Sequence, residues 1–544
     1  MALFVAAASL PWLVEGCGPL ALVALVPLLL MERSAGRERI WPWYYAAFAL
    51  WNAATTFWVC NATFAGGIAA ILLNALQMAG VFGVFRLSRR YLHGSLPYIL
   101  LAVLWIAWER YYFSAEVSWP WLVLGGAFAG TLPLAQFYEY TGILGGSLWI
   151  WAVNLGVFGL ITAVREGLWK RWNLHARAVS ALSLLAVVIV PAAVSLHIYK
   201  TEGQRRNCDV GGPMLDVIAV QPNIDPYHKF EAMTQEEQTG MFLGMLRPVL
   251  EERCHRSSTD TISSAPLLVL APETFPTDIV TNNIQASPTF RAFSGFLKDY
   301  PGVNLLFGAS SYDYIRSVRR PSYTVREVRD NSGLWVQAHN SGVMTDASGR
   351  AEIYHKSKLV IGTEMTPYPA VFTRLDDLLG GVMARDAGQD EVSVVNVKGP
   401  CGENIPIGCV ICYESVYGEY CTGYVRKGAE ALAVITNDAW WGDTPGYWQH
   451  LRFSSLRAIE TRRDIVRCAN TGISAIIDRR GVVRQASGWW KQEVLSGRIA
   501  LSGRQTFYVE NGDITGRLCH FLALLLCAWL AVTIILEKKG GRLR

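Results

Sequence analysis

Long apolar blocks separated by short basic loops fill the first 199 residues, and one more apolar block lies near the C-terminus. A transmembrane helix needs roughly 17–25 mainly apolar residues. Six blocks have about this length: Trp43–Val59, Ala65–Phe85, Leu96–Tyr112, Gly142–Ala163, Ala178–Tyr199 and Leu518–Leu536. The pattern predicts a multi-pass α-helical membrane domain over residues 1–199 with six to seven helices, and a C-terminal transmembrane helix at 517–537.

The first 31 residues are ambiguous in this pattern. Met1–Val14 and Pro19–Met31 are both apolar, but each is short for a span, and Glu15-Gly-Cys-Gly-Pro19 separates them. They form either two short helices or one span with a frayed end, so the total is seven or eight spans. No basic residue precedes the first apolar stretch, so we do not expect a cleaved signal peptide.

Positive charge is concentrated in alternate loops. Basic residues cluster at 33–39 (including Arg37 and Arg39), 86–90 and 165–177, and in the C-terminal tail up to Arg544. The loops around 60–64 and 113–141 carry no lysine or arginine. Because basic loops stay in the cytoplasm, this parity predicts that residues 200–510 lie on the opposite side of the membrane.

The composition supports a membrane protein rather than a nucleic-acid-binding one. Of all residues, 51% are hydrophobic and only 17% are charged, and the formal net charge is +5. Much of this positive charge flanks apolar segments, where the membrane accounts for it. We therefore expect the membrane, and no nucleic acid, as a partner.

Residues 200–510 have the composition of a globular domain in which short apolar runs alternate with helical patterns. Such an alternation predicts an α/β domain with a layered sheet. Predicted strands are 215–220, 266–271, 303–308, 405–412 and 431–436, with a hairpin of 341–345 and 351–355. A helix is predicted over 447–463 with the apolar side chains inward and Arg457, Arg462 and Arg463 outward.

Cys409 and Cys412 form a C-x-x-C pair within a predicted strand. Side chains three apart in a strand face opposite sides, so one metal ion cannot bind both thiols. The sequence has no second C-x-x-C and no H-x-x-x-H to complete a metal site. Cys409 fits a buried position as a small hydrophobe, whereas Cys412 lies where the apolar run ends, followed by Tyr413 and Glu414.

A cysteine that attacks an acyl carbonyl needs a base, and a cation or N–H donors to hold the oxyanion. His450 is the best-placed histidine, but its position on a polar helix face favours a structural or surface role. A buried carboxylate can serve as the base, and a lysine beside the thiol favours the thiolate and the oxyanion. Glu273, after the strand at 266–271, and Lys356, after the hairpin, fit these roles.

The order Pro-Glu273-Thr, Tyr354-His-Lys356 and Cys412-Tyr-Glu414 resembles the three signatures of the nitrilase superfamily. The chain is more closely similar to the membrane-embedded branch of that superfamily, the apolipoprotein N-acyltransferases. Further stretches match that family: Leu104-Trp105 with Glu109, Trp119-Pro-Trp121, Leu359-Val with Glu364, Thr436-Asn-Asp-Ala-Trp440, Trp448-Gln-His450, Arg457-Ala-Ile-Glu460, Asn470-Thr-Gly472, and Thr506 with Tyr508 and Gly512-Asp513.

The resemblance implies an αββα sandwich for the nitrilase-like domain and a catalytic triad of Glu273, Lys356 and Cys412. It implies a ping-pong transfer of a fatty acyl chain through a Cys412 thioester, with a phospholipid as donor and a diacylglyceryl-modified lipoprotein as acceptor. Glu364 and Glu414 would orient the lysine or the thiol, and a backbone N–H near Tyr413 would help hold the oxyanion.

The same resemblance implies a monomer in the bacterial inner membrane with its catalytic domain on the periplasmic side. The resemblance also implies that the reaction needs no cofactor and no metal. Phospholipid would reach Cys412 along apolar stretches, and two candidates are Met365–Met383 and Trp440-Trp441. The apolar residues of the first stretch are Tyr368, Val371, Phe372, Leu375, Leu378 and Leu379.

Two other classes of function stay open from the sequence. A membrane-tethered nitrilase-type amidase that hydrolyses small amides would share the triad but need no apolar approach. A transporter with an inactive nitrilase-like domain would explain the polar residues Asn74 and Gln77 inside a span, although single polar residues more often bind neighbouring helices. An intact triad argues against the transporter.

Overall fold

The structure, a computed structural model, describes residues 1–36, 40–208, 212–225, 233–259, 265–378 and 383–540. Contacts divide the chain into two compact units: one combines Met1–Gln204 with Asn511–Arg544, and the other is Arg205–Glu510. Some residues named above lie outside the described side chains: Arg37, Arg39, Leu375, Leu378, Leu379 and Arg544.

The first unit is helical. Its described α-helices are Ala2–Leu13, Ala21–Ala24, Val26–Ser34, Trp41–Thr56, Val59–Ala62, Phe64–Ser88, Leu96–Tyr112, Tyr138–Arg165, Leu168–Arg171, Leu174–Cys208 and Ile514–Gly540. Four of them have the length and apolar composition to cross a membrane: Phe64–Ser88, Tyr138–Arg165, Leu174–Arg205 and Ile514–Lys539.

The remaining predicted spans correspond to shorter helices. Trp41–Thr56 has 16 residues and Leu96–Tyr112 has 17. The N-terminal region is broken, because the helix Ala2–Leu13 ends before Gly16, whose φ is +81°. Its 12 residues are about 18 Å long, which is less than the hydrocarbon core of a bilayer. The number of spans therefore stays a prediction.

The polar residues in the predicted span Ala65–Phe85 bind neighbouring helices. Asn74 Nδ2 donates to Asn52 Oδ1 at 2.7 Å, and the Trp108 ring N–H donates to Gln77 Oε1 at 3.1 Å. Both bonds join separate helices, as expected for polar residues that stabilise helix packing. These residues therefore give no support to a transport pathway.

The second unit is an α/β domain built on two sheets. Its strands are β1 (Met214–Gln221), β2 (Leu267–Ala271), β3 (Ile279–Val280), β4 (Val303–Arg316), β5 (Val325–Glu327), β6 (Leu334–Thr345), β7 (Ala351–His355), β8 (Val394–Lys398), β9 (Asn404–Ile411), β10 (Ala431–Thr436), β11 (Ile465–Ala469), β12 (Ala475–Ile477), β13 (Val483–Ala486) and β14 (Glu493–Ala500).

The first sheet has the order β14-β1-β2-β4-β6-β5, with β3 paired to β4 and β7 paired to β6. The second sheet has the order β13-β12-β11-β10-β9-β8. Its central strands β9, β10 and β11 are parallel, as are β1, β2 and β4 in the first sheet. All the strands expected from the apolar runs, including the hairpin of β6 and β7, are confirmed.

Alternate residues of the first sheet enter two different cores. Leu215, Val217 and Ala219 of β1 pack with residues of β9 and β10 between the sheets. Ile218 and Val220 pack on the other face against the helices Gln235–Thr259 and Pro288–Leu297. The helices Gly418–Arg426 and Pro445–Thr461 pack against the second sheet. The result is the predicted αββα layering.

Two local predictions are wrong. Strand β9 ends at Ile411, so Cys412 does not continue the strand as predicted. The helix predicted over 447–463 ends at Thr461, and Arg457, Arg462 and Arg463 are buried rather than exposed. Arg457 donates to the Val416 carbonyl at 2.8 Å, and Arg463 Nε donates to the Ala429 carbonyl at 2.7 Å. The helix pattern predicts that water solvates these arginines, but carbonyl groups of other segments accept their hydrogen bonds instead.

Candidate active site

The three predicted catalytic residues each follow a strand. Glu273 comes two residues after β2, Lys356 follows β7, and Cys412 follows β9. Since β2 and β7 belong to the first sheet and β9 to the second, the site draws its groups from both layers of the sandwich.

The Glu273 carboxylate lies in a turn that is almost fully buried. Its Oε1 accepts hydrogen bonds from Asn340 Nδ2 at 2.8 Å and from Lys356 Nζ at 3.0 Å. Its Oε2 accepts the backbone N–H of Asn437 at 3.1 Å. These donors fix both oxygens and satisfy a carboxylate that has lost its water.

The Lys356 ammonium is buried between two carboxylates. Its Nζ lies 3.0 Å from Glu273 Oε1 and 2.9 Å from Glu364 Oε1. Burial alone lowers the pKa of a lysine, but the charges of Glu273 and Glu364 outweigh it and hold the pKa of Lys356 well above its usual value. Lys356 is therefore a fixed cation at neutral pH, suited to stabilising negative charge rather than to accepting a proton.

Glu364 and Asn340 complete the lysine's surroundings. Asn340 Nδ2 donates both to Glu273 and, at 2.6 Å, to Glu364 Oε1. Glu364 Oε2 accepts the Val360 N–H at 2.7 Å. Glu364 thus binds Lys356 directly, as proposed from the sequence. Asn340 was missed there, because an asparagine inside a strand carries no sequence signal for this role.

Cys412 has an unusual backbone conformation. Its φ is +47°, which a non-glycine residue rarely adopts and which costs of order 1–3 kcal/mol. Its carbonyl oxygen lies 2.8 Å from Ser415 Oγ and 3.1 Å from His450 Nε2. These contacts hold the residue in a sharp turn directly after the strand, comparable to the turn that presents nucleophiles in other α/β enzymes.

Burial and nearby charges, including those of its two predicted partners, determine the pKa of the Cys412 thiol. Burial, and next the charge of Glu273, raise the pKa of the thiol well above its usual value, whereas the charge of Lys356 lowers it. The resting group is therefore a thiol and not a thiolate. Attack on a carbonyl then requires removal of the proton as the bond forms, and Glu273 is the carboxylate whose charge acts on the thiol most strongly.

Glu414 is fully buried and has a different position from Glu364. It accepts the backbone N–H of Ile411 at 2.8 Å and that of Ser357 at 2.8 Å. The hydroxyls of Tyr354 and Tyr424 also donate to it, at 2.6 Å and 3.1 Å. Burial raises its pKa. Glu414 connects the residue before Cys412 to the residue after Lys356.

Three buried side chains, those of Asp438, His450 and Arg467, form a polar group next to the Cys412 carbonyl. Asp438 Oδ1 lies 2.9 Å from His450 Nδ1, and Arg467 Nη2 donates to Asp438 Oδ2 at 2.7 Å. Arg467 and His450 hold the pKa of Asp438 below its usual value despite its burial. His450 is thus buried and structural, and the alternative of a surface role is wrong. The sequence marks the stretch Thr436–Trp440 only through its family resemblance, and it carries no signal for a role of Arg467.

The other residues predicted from the sequence differ in their burial. Tyr413 is buried and its ring meets Tyr417 edge-on at 5.2 Å. Trp440 is 41% exposed, and Tyr368 and Val371 of the helix-containing segment after Glu364 are 41% and 65% exposed. Cys409 is fully buried in the core between the sheets. The sequence does not decide whether the other cysteines of this unit form disulfides. Cys254, Cys401, Cys421 and Cys468 have free thiols in the structure, and the Cys208 side chain lies outside the described residues.

Comparison with known proteins shows which families the chain is similar to. The carbon-nitrogen hydrolase family matches residues 313–508. The N-terminal domain of apolipoprotein N-acyltransferases matches residues 3–156. An apolipoprotein N-acyltransferase from Chlorobaculum tepidum is 28% identical over 523 residues, covering 94% of this chain and 92% of the relative. One from Geobacter metallireducens is 26% identical over 521 residues, covering 93% and 89%.

The fold, the apolar helices and the two family matches define a membrane protein with a nitrilase-like enzyme domain, so the predicted fold class is confirmed. Similarity to the relatives extends over nearly the whole chain, membrane unit included. The chain belongs to the apolipoprotein N-acyltransferase family.

Proposed function

We propose that this protein transfers a fatty acyl chain from a phospholipid to the N-terminal amine of the lipid-modified cysteine of a lipoprotein. Family membership supports acyl transfer to a lipoprotein, and the site geometry supports the chemistry. The observation that carries the mechanism is the buried Lys356 ammonium, bound to the Glu273 carboxylate at 3.0 Å. The charges of the two groups act in opposite directions on the pKa of the Cys412 thiol.

In the first half-reaction, Glu273 takes the thiol proton while Cys412 Sγ attacks the ester carbonyl of the phospholipid. Lys356 and a backbone N–H near Tyr413 stabilise the negative charge that develops on the carbonyl oxygen. The C–O bond then breaks, and Glu273 returns the proton to the leaving alcohol. The products are a Cys412 thioester and a lysophospholipid.

In the second half-reaction, the free amine of the lipoprotein's modified cysteine attacks the thioester. Glu273 accepts the amine proton, the C–S bond breaks, and Cys412 recovers its thiol when Glu273 returns that proton. The amide product is left on the lipoprotein. No redox step occurs, and protons balance within the Glu273–Cys412 pair.

We further propose that the protein lies in the inner membrane with Arg205–Glu510 on the periplasmic side. The support is the concentration of lysine and arginine in loops of one parity along the membrane unit. Exposed Tyr368, Val371 and Trp440 are the residues we propose to contact the acyl chains of the donor. A monomer is sufficient for this mechanism.

The test is the acyl-enzyme itself. Purified protein incubated with a diacyl phospholipid alone should gain the mass of one fatty acyl chain on the peptide that contains Cys412, and release one lysophospholipid. The adduct should persist in water and disappear when a lipopeptide with a free N-terminal cysteine amine is added. Cys409→Ala should form the adduct, and Cys412→Ala should not.

The same experiment separates this proposal from the membrane-tethered amidase. An amidase would be acylated by small amides and would release the acid rapidly without any peptide. Rapid release of free fatty acid in the absence of lipopeptide would overturn the transferase assignment. Persistence of the adduct requires that water be excluded or badly oriented at the thioester.

A further inference from the structure

Three neighbouring strands of the first sheet bring two histidines and an aspartate together beside the candidate active site. Asp313 lies on β4, His339 on β6 and His355 at the end of β7. In the strand register, Ser311 faces His339 and Ser341 faces His355. Since residues two apart share a face of the sheet, Asp313, His339 and His355 all lie on one face.

The side chains converge as the register requires. One potential ligand atom from each of Asp313, His339 and His355 lies within 4.8 Å of the others. The two imidazole rings are stacked with centroids 4.1 Å apart. His339 Nε2 lies 3.6 Å from Asp313 Oδ2.

The hydrogen bonds of His339 leave its Nε2 with a free lone pair. Its Nδ1 lies 2.7 Å from the carbonyl oxygen of Ala387. A carbonyl only accepts, so Nδ1 carries the proton and Nε2 of the neutral ring is an acceptor. This Nε2 is buried and has no hydrogen-bond partner among the described residues. The contact with Asp313 Oδ2, at 3.6 Å, is longer than a hydrogen bond. A buried nitrogen without a hydrogen bond is costly unless something binds it.

His355 is oriented in the same way by a chain of hydroxyls. Ser311 Oγ donates to the His339 carbonyl at 3.4 Å and lies 2.6 Å from Ser341 Oγ. Ser341 Oγ is 2.7 Å from His355 Nδ1. If each hydroxyl donates along the chain toward the carbonyl, Ser341 accepts from His355 Nδ1–H, and Nε2 of His355 also presents a lone pair.

Asp313 supplies an anionic oxygen to the same point. Its Oδ1 accepts the hydroxyl of Thr281 at 2.5 Å and the backbone N–H of Asn282 at 3.0 Å. These bonds fix the carboxylate and leave Oδ2 toward His339. All three candidate ligands are therefore oriented by hydrogen bonds from a surrounding layer of residues, as is typical of protein metal ligands.

We propose that Asp313, His339 and His355 bind a divalent transition-metal ion, with zinc as the best match. Two imidazole nitrogens and one carboxylate oxygen form a ligand set that suits zinc and leaves at least one coordination position open. His355 directly precedes Lys356, and Ala387, which orients His339, directly precedes Gly388. An added Cβ on Gly388 would lie 2.8 Å from the Lys356 carbonyl oxygen. The ion would therefore connect the residue directly before Lys356 with the segment at 387–388 that packs against the Lys356 carbonyl, outside the acyl-transfer chemistry.

The test measures metal binding rather than turnover. Full-length protein in detergent is stripped with a chelator and titrated with Zn²⁺ by calorimetry and with Co²⁺ by visible absorption. We expect one equivalent bound with micromolar affinity or tighter, and a Co²⁺ spectrum of low coordination number. His339→Ala, and separately His355→Ala, should weaken binding by about 10- to 100-fold or more.

Two further variants keep the test decisive. Asp313→Asn changes a partly exposed side chain with little effect on folding, and it should weaken binding and alter the Co²⁺ spectrum. His255→Ala, which removes a histidine from the helix Gln235–Thr259, should leave both unchanged. Binding only at millimolar metal, or an unchanged Co²⁺ spectrum in folded His339→Ala and Asp313→Asn proteins, would overturn the proposal.

Discussion

The carboxylate of Glu414 accepts the backbone N–H of Ser357 at 2.8 Å, so the residue two positions after Cys412 fixes the residue one position after Lys356. The same carboxylate accepts the Ile411 N–H, directly before Cys412. The buried Glu414 side chain thus sets the spacing between the predicted nucleophile and the predicted cation. It does so through the backbone, because no hydrogen bond joins the Glu414 carboxylate to the Lys356 ammonium. Glu414 is a positioning residue in this arrangement.

Replacing Glu414 should therefore lower the turnover number without removing a reacting group. Glu414→Ala leaves the Ile411 and Ser357 N–H groups unsatisfied, at roughly 1–3 kcal/mol for each buried group, and we expect a loss of about 10²-fold in kcat because small misplacements have effects of this size. Glu414→Gln, which keeps one acceptor oxygen, should lose less. Steady-state acyl transfer and thermal melting measure both effects.

Glu419→Gln is the matched control, because Glu419 is an exposed glutamate on the following helix. It should leave kcat and melting unchanged. Full activity in Glu414→Ala would contradict the positioning role.

The pH dependence of Cys412 alkylation should shift in opposite directions in two variants. The charge of Glu273 raises the pKa of the thiol and that of Lys356 lowers it. Glu273→Gln should therefore move the iodoacetamide rate profile to lower pH, and Lys356→Met should move it to higher pH. Both should nevertheless lower acyl transfer by about 10²-fold or more, since the base or the oxyanion cation is lost.

Mass spectrometry of the Cys412 peptide follows this reaction, and the exposed Cys254 gives an internal reference for ordinary thiol reactivity. Profiles that move in the same direction would contradict the opposite effects inferred for the two charges on the pKa of the thiol.

Gly308 should be essential for activity although it carries no functional group. A Cβ at this position would lie 2.5 Å from the Glu273 Cα and 2.8 Å from the Pro272 carbonyl oxygen. These are backbone atoms, so Gly308→Ala must displace the turn that carries Glu273. We expect kcat to fall by about 10²-fold, the usual effect of a displacement near 1 Å.

Gly302→Ala serves as the control for this substitution, because a Cβ at Gly302 has no neighbour within 4 Å. It should leave acyl transfer intact. Equal activity of the two variants would show that the contact between β4 and the Glu273 turn is not tight.

Breaking the buried pair of Arg467 and Asp438 should destabilise the protein. Arg467→Met leaves the Asp438 carboxylate buried without its guanidinium, and removal of one partner of such a pair costs about 3–5 kcal/mol. The double variant Asp438→Asn, Arg467→Met removes both charges and should be more stable than Arg467→Met alone. Thermal melting in detergent compares the stability of the two variants. A double variant that is less stable than Arg467→Met alone would contradict this prediction.

The proposed orientation predicts the behaviour of reporter fusions. A reporter that is active only in the cytoplasm should be active after Arg89 or Lys170, which lie in basic loops, and silent after Gly203. Arg89 and Lys170 lie on one predicted side of the membrane and Gly203 lies on the other, so the three fusions check each other. An active fusion at Gly203 would reverse the orientation and place the candidate active site in the cytoplasm.

Much of the catalytic unit follows from local sequence. Runs such as Leu215–Val220 and Ala431–Thr436 are long and apolar enough to specify buried strands, because a strand in a covered sheet needs apolar side chains on both faces. The placement of Glu273, Lys356 and Cys412 at strand ends follows from the same runs. The resemblance to a known family then supplied their roles, which hydrophobic pattern alone does not contain.

The interior polar contacts depended on the tertiary structure. Helix periodicity placed Arg457, Arg462 and Arg463 toward water, since an unpaired charge is costly to bury. Each arginine instead donates a hydrogen bond to a carbonyl group of a distant segment inside the protein. Arg457 also pairs with Glu460 of its own helix at 2.9 Å. Periodicity records how apolar a position is, and it holds no information about which distant acceptor will meet a side chain.

The sequence by itself determined the strands, the separation of membrane and globular segments, and the candidate triad. Only the tertiary structure decided that Cys412 follows the strand with a positive φ. It alone decided that Glu414 accepts the N–H groups of Ile411 and Ser357. The meeting of Asp313 with His339 and His355 was also decided there. Each of these depends on strand pairing or on contacts between residues far apart in the chain. Local propensity fixes which elements form, whereas the register between them fixes which side chains meet.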